Sequence, residues 1–312
     1  MLLFFFPKKE KKTTVLSQSK GSEKMKHTFI RERALSRHNC RYKDVSWYEY
    51  SEEEQQAARM PRRARTRASP PKIKRMNDEY SRRYFEWLLL NNFGAGDFHV
   101  TLTFAKVLSK EAAQRELNNY IRRLRRLYRR YGEPLDYLYV TEGKPDGAKD
   151  NPRLHYHIVL RGGPPRDEIE KLWKLGTANC DNLQPDPYEG LTALARYLMK
   201  SRKSAEKYER VWNCSQSLKR PDDVIDDNSV SRKRMRKLQA AARNDEVKRY
   251  LERIYIGWIV LSAEVGMNEV TGRPYAHIRL MRRERYGHYI KLYKAVKGKS
   301  PPNSQKSQSS GG

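Results

Sequence analysis

Between residues 98 and 104 the chain alternates without a break. Phe98, Val100, Leu102 and Phe104 are apolar, and the intervening His99, Thr101 and Thr103 are polar. That period of two predicts a half-buried β-strand. From Ser109 the period changes. Leu117, Tyr120, Ile121, Leu124, Leu127, Tyr128 and Tyr131 recur at spacings of three and four, while Arg122, Arg123, Arg125, Arg126, Arg129 and Arg130 fill the opposite face. This is an amphipathic helix, with Ser109 placed to cap it and Gly132 and Pro134 placed to stop it. A second strand is predicted over 135–142. A Gly/Lys/Asp/Pro loop then leads to a third strand over 153–161. Gly162-Gly163-Pro164-Pro165 ends that strand and opens a short helix over 166–175, closed by Gly176, and a last strand follows over 177–183.

The predicted order is β-α-β-β-α-β, the ferredoxin-like plan of an α+β fold. Its sheet is antiparallel, with helices on one face and the face bearing His155 and His157 left free for a ligand. A further helix runs from Tyr188 to about Lys203. Leu191, Leu194, Ala195 and Leu198 cluster on one side of it, and Tyr197 and Lys200 fall on the other.

Upstream, residues 8–76 are polar, with little apolar periodicity, so 1–76 is expected to be mostly disordered and basic. Pro61-Arg62-Arg63-Ala64-Arg65-Thr66-Arg67 forms a basic arm there. Asn77 is the expected cap of a helix through Tyr80, Tyr84, Trp87, Leu88 and Leu89, opening a folded domain over 77–221. Residues 222–295 read as a basic C-terminal extension containing a helix from Ser229 and a hairpin of strands 255–265 and 275–281. Residues 296–312 read as a disordered tail. Glu264 followed by Tyr275-Ala276-His277 echoes Glu142 followed by the His strand. With a single His it reads as an ordinary hairpin.

The chemistry concentrates in His155-Tyr156-His157. Alternate residues of a strand share a face, so both imidazoles point the same way and can ligate a divalent cation. Glu142 ends the preceding strand and offers a carboxylate; His99, on the face of Thr101 and Thr103, is the alternative third ligand. Tyr197 lies off the apolar stripe of its helix, with Lys200 one turn on. Two imidazoles, a carboxylate and an exposed helical Tyr suit a nuclease that cuts single-stranded DNA through tyrosine, the cation polarising a phosphate oxygen.

Charge points the same way. With 65 Lys+Arg against 37 Asp+Glu the net charge is +28, a field that attracts polyanions and makes binding salt-dependent. The 20 Tyr and five Trp interleaved with it suit single strands. Cys40, Cys180 and Cys214 are scattered and expected as reduced thiols. The apolar run Met1–Phe6 stops at Pro7, too short for a membrane span, so a soluble cytoplasmic protein is expected. There is no Gly-x-x-x-x-Gly-Lys-[Ser/Thr] motif, so any unwinding needs a partner helicase.

These residues resemble the HUH endonuclease superfamily, specifically the replication initiators of rolling-circle phages, prophages and plasmids. Val100-Thr101-Leu102-Thr103-Phe104 is similar to the family's first motif, His155-Tyr156-His157 to its His-hydrophobe-His motif, and Tyr197-Leu198-Met199-Lys200 to its Tyr-x-x-Lys motif. The resemblance covers about residues 92–221. It implies nicking of one strand at a replication origin in a bacterial host, a 5′-phosphotyrosine on Tyr197, and a 3′-hydroxyl that primes synthesis. It also implies Mg²⁺ or Mn²⁺ on His155, His157 and a third ligand, assigned to Glu142. Some members carry a second Tyr one turn away. Here that position is Ala193, which implies a single-tyrosine enzyme. The alternatives are a single-tyrosine transposase of the same chemistry and a non-catalytic DNA-binding autoregulator.

Overall fold

The computed structural model describes residues 28–59, 71–143, 153–200 and 211–283. In chain order the first elements are β1 (Thr28–Ser36), β2 (Tyr42–Ser51), α1 (Glu52–Arg59), α2 (Pro71–Asn92), β3 (Phe98–Thr103) and α3 (Lys110–Arg130). Then come β4 (Tyr137–Glu142), β5 (His155–Leu160), α4 (Arg166–Lys171), β6 (Ala178–Asn182) and α5 (Thr192–Leu198). The last are β7 (Trp212–Cys214), β8 (Asp222–Asp226), α6 (Arg232–Arg243), α7 (Val247–Ile254), β9 (Trp258–Met267) and β10 (Pro274–Arg282). They form a mixed α/β protein with two antiparallel five-stranded sheets, ordered β8-β1-β2-β10-β9 and β6-β3-β5-β4-β7. The chain divides into two compact units, the second of which includes Arg82–Pro221. Among the described residues no helix is long and apolar enough to cross a membrane.

In the second unit the β-α-β-β-α-β order over β3 to β6 is as the periodicity predicts. Phe98, Val100 and Leu102 of β3 and Tyr156, Ile158 and Leu160 of β5 form one core with Leu117, Tyr120, Ile121, Leu124 and Tyr128 of α3. Ser109 caps α3, its side chain accepting from the Ala112 amide at 3.2 Å. The chain leaves the helix through Gly132, whose φ of 71° only glycine adopts freely. Gly176 marks a close approach: a Cβ there would lie 2.3 Å from the Thr103 carbonyl oxygen.

The other face of this sheet differs from expectation. The strand pattern leaves it free, but Leu138, Val140 and Val159 on it are fully buried. Trp212 pairs with Val140, so it shares that face, and its ring stacks on Tyr84 and meets Phe85 edge-on. The C-terminal half of α2, expected to precede the domain, therefore helps to cover it. α2 also begins at Pro71, ahead of the predicted cap Asn77. The helix carrying Tyr197 is shorter than predicted. Tyr188 lies before it, in a turn bridged by Asp186 and Gly190, and 201–210, which includes Tyr208, is outside the described residues.

The first unit corrects the reading of both ends of the chain. The composition of residues 1–76 predicts a mostly disordered region, yet β1, β2, α1 and the start of α2 lie there; 1–27 and 60–70, including the basic arm, are outside the described residues. Residues 222–295 are no appendage, because β8, β9 and β10 complete one sheet with β1 and β2. Ile30, Ala34, Val45, Trp47, Ala276 and Ile278 face Met235 and Leu238 of α6 and Leu251 of α7. On the opposite face, charges meet across strands. Arg31 pairs with Asp227 at 2.6 Å, Arg33 with Asp223 at 2.5 Å, and Asp44 with Arg279 at 2.6 Å. The cap of α6 is Ser231, two residues beyond the predicted start at Ser229. The predicted tail, 296–312, is outside the described residues.

Candidate metal centre and its tyrosine

Strand register assembles the cluster. Glu142 of β4 and Thr103 of β3 flank His155 of β5, and Val140 and Thr101 flank His157. All six side chains share one face by the alternation of the strands. His155 Nε2 lies 3.6 Å and His157 Nε2 3.3 Å from Glu142 Oε2. The ligand atoms of the three residues all fall within 4.8 Å of one another, and no other such cluster occurs among the described residues.

Backbone and neighbours set the ring orientations. His155 Nδ1 sits 2.7 Å from the Arg153 carbonyl oxygen, which can only accept. Nδ1 therefore carries the proton in the neutral ring, and the Nε2 lone pair points to Glu142. His157 is held from behind, its Nδ1 lying 3.3 Å from Thr101 Oγ1 and 3.2 Å from His99 Nε2. Burial, reinforced by His155, His99 and Lys200, pushes the His157 pKa down to about 3, so this imidazole is neutral. His99 is also lowered by burial, against the opposing pull of Asp181, its partner across β6.

Two buried atoms are left without a hydrogen-bond partner, Glu142 Oε2 and His157 Nε2. Glu142 is only 9% exposed and His157 3%. A carboxylate oxygen facing an imidazole lone pair at 3.3 Å is repulsive unless something positive lies between them. Those orphaned atoms, with the free lone pair of His155, suit a divalent cation held by two nitrogens and one oxygen. The residues present fit a metal.

Tyr197 stands over this cluster. Thr192, Ala195 and Leu198 turn inward from α5, whereas Tyr197 is 45% exposed, off the apolar stripe. Its ring meets the His157 ring edge-on, centroids 5.6 Å apart. Lys200 Nζ lies 4.4 Å from the Tyr197 ring centroid, over its face. All five residues singled out in the sequence, Glu142, His155, His157, Tyr197 and Lys200, thus come together in one unit.

His99 has a different place from the ligand role considered for it. Its ring stacks on His157 at 5.2 Å and lies behind that residue, on the Nδ1 side. Its alternation with Thr101 placed it on the correct face, but depth on that face depends on what covers the sheet. The echo at Glu264 is an ordinary hairpin. Tyr275 donates to Glu264 at 2.6 Å, and His277 Nδ1 pairs with Ser46 Oγ at 2.9 Å.

No curated protein and no solved structure matches the chain. Residues 97–202 match the model of a family described as replication-associated protein, of the ORF2 type. That stretch runs from the residue before β3 past α5 and contains the whole cluster, and the similarity supports a replication initiator.

Proposed function

We propose that this chain initiates rolling-circle replication by nicking single-stranded origin DNA through Tyr197. The observation that carries the reading is the convergence of His155 Nε2, His157 Nε2 and the orphaned Glu142 Oε2 beneath an exposed tyrosine. The order β6-β3-β5-β4 fits the ferredoxin-like plan on which HUH nucleases are built.

The chain's residues have distinct roles. Glu142, His155 and His157 would hold Mg²⁺ or Mn²⁺, which when bound polarises a phosphate oxygen and fixes the scissile phosphate in line. Tyr197 Oη attacks the phosphorus and loses its proton. The bond from phosphorus to the 3′ oxygen breaks, and that oxygen takes up a proton to leave a 3′-hydroxyl primer. The 5′ phosphate stays on Tyr197 as a phosphodiester, which conserves the bond energy for rejoining. Lys200, over the tyrosine ring, offers positive charge beside the attacking oxygen. Thr101 and His99 keep the His157 ring in the ligating orientation. Ala193 is exposed one turn before Tyr197, so α5 supplies a single nucleophile.

The experiment is incubation with a labelled single-stranded origin oligonucleotide and Mn²⁺, followed by denaturing electrophoresis. A covalent adduct in the wild type that is absent in Tyr197→Phe is expected. Binding without cleavage would mark a non-catalytic DNA-binding protein, and transfer into unrelated target DNA a transposase. Replication in a bacterial cytoplasm, with a helicase as partner, belongs to the same proposal.

A further inference from the structure

The cluster lies on one face of its sheet, and α3 packs on the other. The inward side of α3 is saturated with core residues. Its outward side carries Arg115, Arg122, Arg125, Arg126, Arg129 and Arg130, all exposed. No carboxylate occurs between Glu116 and Glu133. Arg122, Arg125, Arg126 and Arg129 have no ion-pair partner among the described residues, whereas Arg130 pairs with Glu168 and Arg123 donates to the Leu172 carbonyl. Asn119 and the arginines at 122, 123, 125, 126 and 129 rim a shallow groove of about 460 Å³.

A face that served only solubility would interleave both signs. Here the pairs 122/125, 122/126, 125/129 and 126/129 are like charges at i,i+3 or i,i+4, each repulsive in the free protein. The helix dipole rewards cations in the last turn, which accounts for Arg129 and Arg130 but not for Arg122, Arg125 or Arg126. A polyanion resolves that repulsion.

We propose that the outward face of α3 binds the phosphate backbones of double-stranded DNA, at a surface separate from the Tyr197 site. Three observations favour duplex DNA over other polyanions. The arginine stripe carries no aromatic ring, since Tyr120 and Tyr128 point into the core, so single strands find nothing to stack on. It carries no exposed apolar centre, which a protein interface needs. The helix is straight enough to run 21 residues, about 30 Å, and a helix 10–12 Å across fits the roughly 12 Å major groove of B-form DNA but not the narrow groove of A-form RNA. Arg122, Arg126 and Arg129 fall within about 60° of one another, with Arg125 on the flank toward one backbone.

The test replaces Arg122, Arg125, Arg126 and Arg129 together by Ala in the full chain, because Ala preserves helix propensity. Affinity for a non-origin DNA duplex is measured by fluorescence anisotropy between 50 and 200 mM salt. Loss of four phosphate contacts should lower the slope of log affinity against log salt by about 3–4. Binding of a short single-stranded oligonucleotide and its nicking should be unchanged, and a quadruple Lys variant should keep most of the slope. An unchanged duplex slope overturns the proposal. So does an equal loss on the single strand, or tighter binding of an RNA duplex than a DNA duplex. Duplex binding does not involve Tyr197, so a chain that fails to nick leaves this result interpretable.

Discussion

Glu142→Gln separates what the cluster costs the fold from what it does for a metal. Without a cation, Glu142 Oε2 faces His157 Nε2 at 3.3 Å and neither atom has a hydrogen-bond partner. A glutamine of the same shape can donate its amide N–H to that imidazole. Leaving one buried polar atom unsatisfied costs about 1–3 kcal/mol, so the substitution should stabilise the metal-free protein by roughly 2 kcal/mol. At about 2–4 °C per kcal/mol for a domain of 150–250 residues, Tm in chelator should rise by about 4–8 °C. Metal binding should move in the opposite direction. At Mn²⁺ equal to 100 Kd the wild type gains about 2.7 kcal/mol. If losing the anionic ligand weakens binding about 100-fold, the variant gains only about 0.4 kcal/mol at that concentration. Thermal melts of both proteins with chelator and with Mn²⁺ read the two effects separately. A variant that melts no higher than wild type in chelator, or that keeps the full Mn²⁺ shift, would refute the reasoning.

Further outcomes follow from particular contacts. Tyr197→Phe should abolish the covalent DNA adduct while changing stability by less than about 0.5 kcal/mol, since the hydroxyl belongs to an exposed residue; calorimetry beside the adduct assay checks both. His99→Ala should weaken Mn²⁺ binding about 10–100-fold by releasing the back of His157, read by titration calorimetry, whereas a direct ligand would cost more. Tyr48, half-buried in the sheet of β1 and β2, has its pKa pushed up to about 12 by burial. The unfolded chain loses that proton first, so stability is fully present below pH 10 and falls as pH rises toward 12; Tyr48→Phe should flatten denaturant midpoints across that window. Gly176→Ala should cost about 1–3 kcal/mol in urea melts, because its Cβ meets the Thr103 carbonyl at 2.3 Å in a loop pinned by the Ala105 amide to Leu175.

The stretch from β3 to β6 was legible because its evidence is local. Each strand alternates, α3 carries its stripe and Ser109 its cap, and turn residues punctuate the joins. The sheet of β1 and β2 was not legible, for the opposite reason. Its strands place Arg31, Arg33 and Asp44 at buried positions, where an isolated strand would not tolerate them. Their partners Asp227, Asp223 and Arg279 lie about 190 residues or more away, and Glu32 is matched by Trp47 and Tyr255, the latter 223 residues on. Read alone, such a segment has the composition of a solvated tail. Its order comes from pairing that only the folded sheet reveals.

The site divides along the same line. Residue types and strand phase suffice to put Glu142, His155 and His157 on one face, and helical phase suffices to take Tyr197 off the apolar stripe. Nothing local says how deep that face lies. Because α2 helps to cover it, His157 is 3% exposed and the tyrosine above it 45%. That gradient has a chemical consequence. The ligands sit where water is scarce and their lone pairs have no other partner, so the site is preorganised for a cation at the expense of the metal-free fold. The nucleophile sits where a single strand can reach it. A sheet left bare, as the strand pattern alone suggests, would hydrate the Glu142 and His157 atoms and remove both the strain and the selectivity that follows from it. Depth of burial therefore distinguishes this cluster from two histidines on a solvated strand.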